Sequence, residues 1–261
     1  MVEVRAGLAL FRVAFFLLNL STSQRLNMLS AIIVAAGSSE RMGFDKVFAP
    51  IAGKPMIAYT IDAFERTGCV DRIVLVGRND SLPEFRKLLP AKTKVSDIVP
   101  GGAERSDSVR AGLKQVKSAF VAVHDAARPM ITPEKIEQLF KACREHSAAT
   151  LAEPITDTLK RADFDSAAEA DADRALLVTG SVDRKQLYAM QTPQIFKRDL
   201  LEKAYEKALE KKIAVTDEVS AVELLGHQIV IVPNQDFNFK ITYPRDFLLA
   251  EFVLRQRAAN K

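Results

Sequence analysis

Residues Ala35 to Lys46 read AAGSSERMGFDK: small residues and a glycine at the end of an apolar run, then two cations, Arg41 and Lys46, five positions apart. Small side chains let a ligand approach the backbone, whose N–H groups can face phosphate oxygens. Arginine adds a planar fork and lysine a compact point charge, a pairing suited to a phosphoryl group that gains charge in transit. Neither familiar glycine-rich loop fits. A GxxxxGK[ST] loop needs lysine after its last glycine, but Phe44 follows Gly43. GxGxxG needs a glycine where Ser39 stands. Taken alone, the stretch reads equally well as a basic surface loop after a strand.

Two further stretches point the same way. In PGGAERSDSV, Gly101 and Gly102 permit close backbone approach and Arg105 adds a cation. Ser106, Asp107 and Ser108 can cap the next helix while presenting hydroxyls and N–H groups to a ligand, although an ordinary turn and cap explains them too. In VHDAARPMI, Asp125 ends an apolar strand, at the edge where open α/β sheets bind ligands. A carboxylate there beside phosphates suits Mg²⁺, which prefers oxygen ligands. The plainer reading is a capping aspartate with Arg128 as its ion-pair partner. His124, His146 and His227 share no metal-ligand spacing, and His124 reads as a strand-end hydrogen-bonding residue. Cys69 and Cys143 have no CxxC partner, which argues against a zinc site or disulfide framework and for a reducing compartment.

Short apolar runs alternate with helical periods, predicting a layered α/β fold with a mostly parallel sheet. Strands are expected over 31–37, 72–77, 120–126, 149–155, 227–233 and 238–242. Helices are expected over 55–68, 106–117, 133–146 and 198–211, within 217–225, and from Pro244 onward. Thr132-Pro133 opens the third of these, with Ile136, Leu139, Phe140 and Cys143 on one face. The rhythm breaks over residues 157–183, whose sparse apolar positions predict a projecting hairpin arm.

The 261 residues, 48% hydrophobic and 27% charged, suffice for one α/β domain with a full core. The net charge of +4 is spread among 33 acidic residues, so a small anionic substrate explains it and no nucleic acid is implied. Residues 1–27 form a separate extension ahead of a domain over 28–261. Arg12 interrupts its apolar run, no clean cleavage site follows, and Val13 to Leu20 is too short to span a membrane. It reads as a start-site artefact or disordered tail, with a membrane-anchored or secreted form as the alternative. A cytoplasmic location is expected.

In order, AAGSSERMG…DK, GGAERSDSV, HDAARP, DTLKR, SVDRKQLYAMQTPQIF, TDEVSA and NFKIT…P resemble the motifs of the 2-C-methyl-D-erythritol 4-phosphate cytidylyltransferase family of non-mevalonate isoprenoid synthesis. The resemblance runs from about Met28 to the C-terminus. It implies a Rossmann-like nucleotidyltransferase domain whose β-arm exchanges contacts across a homodimer. It implies CTP and methylerythritol phosphate as substrates, with Mg²⁺. Arg41 and Lys46 match the cations acting on the α-phosphate; Arg184 and Lys240 match the pair that orients methylerythritol phosphate, with Thr216 and Thr158 as further contacts. Asp125 matches the Mg²⁺ or cytidine-side carboxylate. Ala35, Ala36, Gly37, Gly102, Ser108 and Ala126 match the cytidine-binding set.

The chain departs from that pattern at Asp45, where many members carry proline before the lysine, at Glu40, and at Ala103, where an acidic residue is often found. The arm is longer and more acidic than usual. Two other readings share these loops: a ribitol 5-phosphate cytidylyltransferase, and a non-catalytic nucleotide-binding protein on the same scaffold.

Overall fold

A computed structural model describes residues 28–37, 42–163 and 175–259. The N-terminal extension, Arg41 and the middle of the arm lie outside the described residues.

The frame is a seven-stranded sheet in the order β11 (Val230–Pro233), β7 (Ala148–Pro154), β10 (Tyr188–Lys197), β6 (Phe120–Asp125), β1 (Leu29–Ala35), β4 (Val70–Gly77) and β5 (Val95–Pro100). Within it β1 is flanked in parallel by β4 and β6. These are the nearly unbroken apolar runs of the sequence, as expected of parallel strands covered on both faces. Side chains alternate between two cores: Ala31 and Ile33 of β1 enter one, Ile32 the other. Helices α1 (Met56–Arg66) and α4 (Pro133–His146) supply the first core; α3 (Arg105–Leu113), α5 (Arg198–Lys211) and α6 (Glu218–Glu223) supply the second. Thr132 caps α4 through the Lys135 amide, and the four apolar residues expected on its inner face are buried.

Several expectations need correction. Residues 238–242 are not a strand: Asn238 is fixed by its side chain, and the Ile241 amide bonds to the carbonyl of Ala127, just past the end of β6. Helix α3 ends at Leu113, so Val116 is buried beyond it; its N-cap is Glu104, in a capping box with Asp107. Helix α1 ends before Thr67, whose backbone is extended, rather than at Gly68. Besides a small ladder described below, three elements were not anticipated. Edge strand β5 (Val95–Pro100) is only half-buried, and α2 (Leu82–Leu88) has seven residues, so neither shows a full hydrophobic period. Strand β10 (Tyr188–Lys197) runs antiparallel between β6 and β7 (Ala148–Pro154) and contains Pro193, a residue that argues against a central strand. Its pairing with β7 shifts register between Met190 and Gln194, which accommodates the proline.

The edge strand β11 (Val230–Pro233) follows α6, and α7 (Pro244–Ala259) closes the chain. Two small ladders stand outside the main sheet: β2 (Pro50–Ile51) with β3 (Lys54–Pro55), and β8 (Leu159–Ala162) with β9 (Val178–Val182). The second is the expected arm hairpin. Among the described residues no helix is long and apolar enough to cross a membrane.

Gly112 marks the closest approach of α3 to the sheet: a Cβ there would stand 2.7 Å from Ile32 Cγ2 and 3.0 Å from Val76 Cγ2. Alanine would gain about 1 kcal/mol of helix propensity. Overpacking against two β-branched side chains costs about 1–3 kcal/mol and should prevail. Gly112→Ala is therefore expected to lower the urea midpoint; an unchanged or raised midpoint would show that the interface can relax.

Candidate functional site

The carboxyl ends of β1, β6 and β5 open on one cavity of about 660 Å³, within the range of small-ligand sites. It lies where the chain's path from β1 turns to opposite sides of the sheet, the point at which open α/β sheets bind ligands. Its lining includes Ala35, Ala36, Gly37, Gly102, Ser108, Lys46, Asp125, Ala126 and Lys240. Nine of the residues singled out by sequence are thus brought together. Thr158, Arg184 and Thr216 are exposed and do not line it. Arg184 sits at the base of the arm and donates to the Thr156 carbonyl.

The floor is shaped by close backbone contacts. A Cβ on Gly101 would stand 2.5 Å from Ala36 Cβ and 2.6 Å from Ser108 Oγ, so glycine is required for the β5 turn to meet the β1 loop. Ser108 Oγ accepts from the Gly102 amide at 3.2 Å and donates to the Glu104 carbonyl at 3.2 Å. Its hydroxyl therefore holds the glycine turn against the start of α3.

The wall is a charge network. Arg105 Nε donates to Asp125 Oδ1 at 3.0 Å, while its two terminal nitrogens donate to Glu218 Oε1 and Oε2 at 2.8 and 3.1 Å. Glu218 is fully buried and also accepts from the Tyr205 hydroxyl at 2.8 Å. Lys240 Nζ donates to Asp125 Oδ2 at 2.8 Å. Burial alone would raise the Asp125 pKa, but the positive charges of Arg105 and Lys240 outweigh it and hold the group well below the usual carboxylate range. Arg128, expected as the partner of Asp125, instead donates to the carbonyls of Asn238 at 2.8 Å and Met190 at 3.4 Å.

Lys240 is delivered by anchors on either side. Asn238 Nδ2 donates to Gln191 Oε1 at 3.0 Å and to the Thr192 carbonyl at 2.8 Å. The Ile241 amide donates to Ala127 O at 2.8 Å. Ile241 O in turn accepts from Lys46 Nζ at 2.9 Å, so the two lysines converge through one short segment.

His124 supports Asp125 from behind. Thr192 Oγ1 accepts from the Asp125 amide at 3.0 Å and lies 3.1 Å from His124 Nδ1, while His124 Nε2 lies 3.2 Å from the Arg128 carbonyl. With the Thr192 proton directed to Nδ1, Nε2 carries the imidazole proton and donates to that carbonyl. Burial drives the His124 pKa from 6.5 down to about 3, keeping the ring neutral.

Arg105, Glu218 and Tyr205 form the core of this wall, yet sequence reasoning gave Arg105 only a general role and passed over the other two. The signals were present: Tyr205 shares the buried face of α5 with Leu201, Ala204 and Ala208. Glu218 opens a helix whose next buried residues are Val219, Ala221 and Val222.

No group of three or more His, Cys, Asp or Glu side chains forms a metal cage among the described residues. A lone carboxylate suits Mg²⁺ that arrives with phosphate oxygens, and each Asp125 oxygen retains a lone pair beyond its bond to Arg105 or Lys240.

A mostly parallel sheet with a glycine-floored cavity at its carboxyl edge, ringed by cations around one aspartate, defines a Rossmann-like nucleotidyltransferase. The model of one family, 2-C-methyl-D-erythritol 4-phosphate cytidylyltransferase, matches residues 29–256. The chain is 36% identical over 233 residues to the enzyme of that name from Halalkalibacterium halodurans, covering 87% of this chain and 97% of that one. It is 39% identical over 236 residues to that from Bacillus velezensis, covering 88% and 97%. Among solved structures, 4-diphosphocytidyl-2C-methyl-D-erythritol synthase from Anaerococcus prevotii superposes with a TM-score of 0.74 at 29% identity, covering 88% of this chain and 96% of that one. The Thermus thermophilus cytidylyltransferase gives 0.71 at 27%, covering 87% and 99%. The chain belongs to the 2-C-methyl-D-erythritol 4-phosphate cytidylyltransferase family.

The neutral His124 has a measurable consequence. Its folded pKa lies below the ordinary value, so the unfolded chain takes up the proton first. Its contribution is full above pH 6.5 and is lost as pH falls toward 3. Stability should fall between about pH 6.5 and pH 4.5 by up to about 1.4 kcal/mol per pH unit from this group. Asp125, held low, contributes its loss only in more acidic solution. Denaturant titrations across that window should show a flatter pH dependence for His124→Gln than for the wild type; equal slopes would clear His124 of the effect.

Proposed function

We propose that the chain transfers CMP from CTP to 2-C-methyl-D-erythritol 4-phosphate, giving 4-diphosphocytidyl-2-C-methyl-D-erythritol and pyrophosphate. The observation that carries this reading is the gathering of Lys46, Lys240 and Asp125 in one cavity above the Ala35–Gly37 and Gly102–Ser108 floor, in a chain of this family. A flat base fits against small residues, and main-chain groups there would select cytosine because a wrong base would leave them unpaired.

In the proposed reaction an acceptor phosphate oxygen forms a bond to the α-phosphorus of CTP. The bond from that phosphorus to the β-phosphate oxygen breaks, and pyrophosphate leaves with the electron pair. Two anions must be brought together, so positioning and neutralisation dominate. Lys46, with Arg41 of the same loop, would act on the α-phosphate; Lys240, with Arg184 and Thr216, would orient the acceptor. Among the described residues, the two hydroxyls lining the cavity support direct transfer: Ser108 donates to Glu104 O and Thr242 to Lys240 O, so neither faces a general base. Mg²⁺ would be held by Asp125 and would neutralise the triphosphate.

The arm would serve a second copy of the chain. Its ladder pairs with no strand of the main sheet, Leu177 and Val178 are 78% and 65% exposed, and Thr158 and Arg184 at its base lie outside the cavity lining. Exposed apolar residues of this kind suit burial in a dimer.

Pyrophosphate release with CTP and either methylerythritol phosphate or ribitol 5-phosphate tests the reading; faster turnover of ribitol 5-phosphate would contradict it. Lys46→Ala should fold normally yet lose about two to three powers of ten in kcat, since a preorganised charge is worth about 3–4 kcal/mol in the transition state. Near-normal turnover would remove Lys46 from the chemistry. Co-expressing Lys46→Ala and Arg184→Ala chains should restore activity in mixed dimers, because one site then receives both intact residues. An inactive mixture would place Arg184 in its own chain's site.

A further inference from the structure

We propose that Arg78 is a positioning residue for the cation-bearing loop, tying the Asp45 carboxylate at one end to the Gly37 carbonyl at the other. The inference rests on the transferase reading above, in which Lys46 acts on the nucleotide.

The backbone register explains why Arg78 is in reach. Gly77, the last residue of β4, stands opposite Ala35 of β1, so the residues leaving the two strands emerge side by side. Gly77 also permits a close packing that any Cβ would block: it would stand 2.2 Å from Phe85 Cε2. From there Arg78 Nη2 donates to Asp45 Oδ2 at 2.8 Å, and Nη1 reaches the Gly37 carbonyl at 3.5 Å. Nε donates to Asp80 Oδ1 at 3.2 Å, and Asp80 Oδ1 also accepts from Ser81 Oγ at 3.0 Å, which steadies the fork.

Asp45 uses its other oxygen on the far side of Lys46: Oδ1 accepts from the Val47 amide at 3.1 Å. Such a side-chain turn fixes the backbone about the residue it spans. One carboxylate therefore brackets the lysine, and Arg78 sets where that carboxylate sits. The Arg78 and Asp45 side chains are 30% and 28% exposed, so the pair adds little to global stability. Its effect should appear in the placement of the loop.

The test compares wild type, Arg78→Met, Arg78→Lys, Asp45→Asn and the Asp45→Asn/Arg78→Met double variant. The readouts are kcat and KM for CTP, calorimetric CTP affinity in Mg²⁺, and Tm. Arg78→Met and Asp45→Asn should each lower kcat/KM by about 10- to 100-fold, the range for a misplaced catalytic group, with CTP affinity weakened and Tm shifted by less than about 2 °C. The double variant should be no worse than the poorer single, because both changes break one link. Arg78→Lys, a point charge without a fork, should recover only part of the loss. Wild-type kinetics and affinity in Arg78→Met, multiplying losses in the double variant, or a large fall in Tm would each overturn the inference. If the wild type fails to turn over methylerythritol phosphate, the transferase reading fails, and CTP affinity still decides the role of Arg78.

Discussion

The arrangement depends on one guanidinium. Arg105 lies between two carboxylates, Asp125 at the cavity and Glu218 in the core, and bonds to both. Burial would lower its pKa, but Glu218 and Asp125 together raise it further above the ordinary arginine value, so the fork stays charged. Without it the fully buried Glu218 would lose both guanidinium bonds and keep the neutral Tyr205 hydroxyl. Removing one partner of such a pair typically costs about 3–5 kcal/mol because a charge is left buried and uncompensated. The network also determines geometry. It joins the start of α3, the end of β6, the start of α6 and the inner face of α5, four elements far apart in sequence that must be in place together before Asp125 points into the cavity.

The second cation on Asp125 comes from a different source. Lys240 rides on a segment with no ladder of its own, held by Asn238 on one side and Ile241 on the other. The same segment supplies the carbonyl that receives Lys46. The two lysines are thus mechanically related: a shift of 238–242 would move both. Irregular backbone with fixed ends suits this task better than a strand, whose pleat would dictate where each side chain points.

Much of this was legible in the sequence because apolar periodicity is a strong signal. The central strands, the buried face of α4 and the hairpin nature of the arm follow directly from it. What escaped notice was held by tertiary pairing rather than local pattern. NFKIT reads as a strand because of its alternation, yet no neighbour offers it a full ladder. YAMQTPQIF reads poorly as a strand because of Pro193, yet a register shift admits it to the middle of the sheet. Arg128 looked like the partner of Asp125 from its proximity in sequence, whereas the partners come from 20 residues before and 115 residues after. Ion-pair choice depends on which strand ends converge, and composition does not reveal that.

The cavity supplies charge, position and small-residue space, and among the described residues the hydroxyls that line it are committed to backbone carbonyls. The proposed reaction is therefore direct attack by one phosphate on the other, with no covalent enzyme intermediate. The stereochemical course at the α-phosphorus, read by phosphorus NMR after turnover of CTP made chiral there by a phosphorothioate, decides it. A single in-line displacement predicts inverted configuration in the product. Retention, the outcome of two displacements through an enzyme-bound CMP, would contradict direct attack.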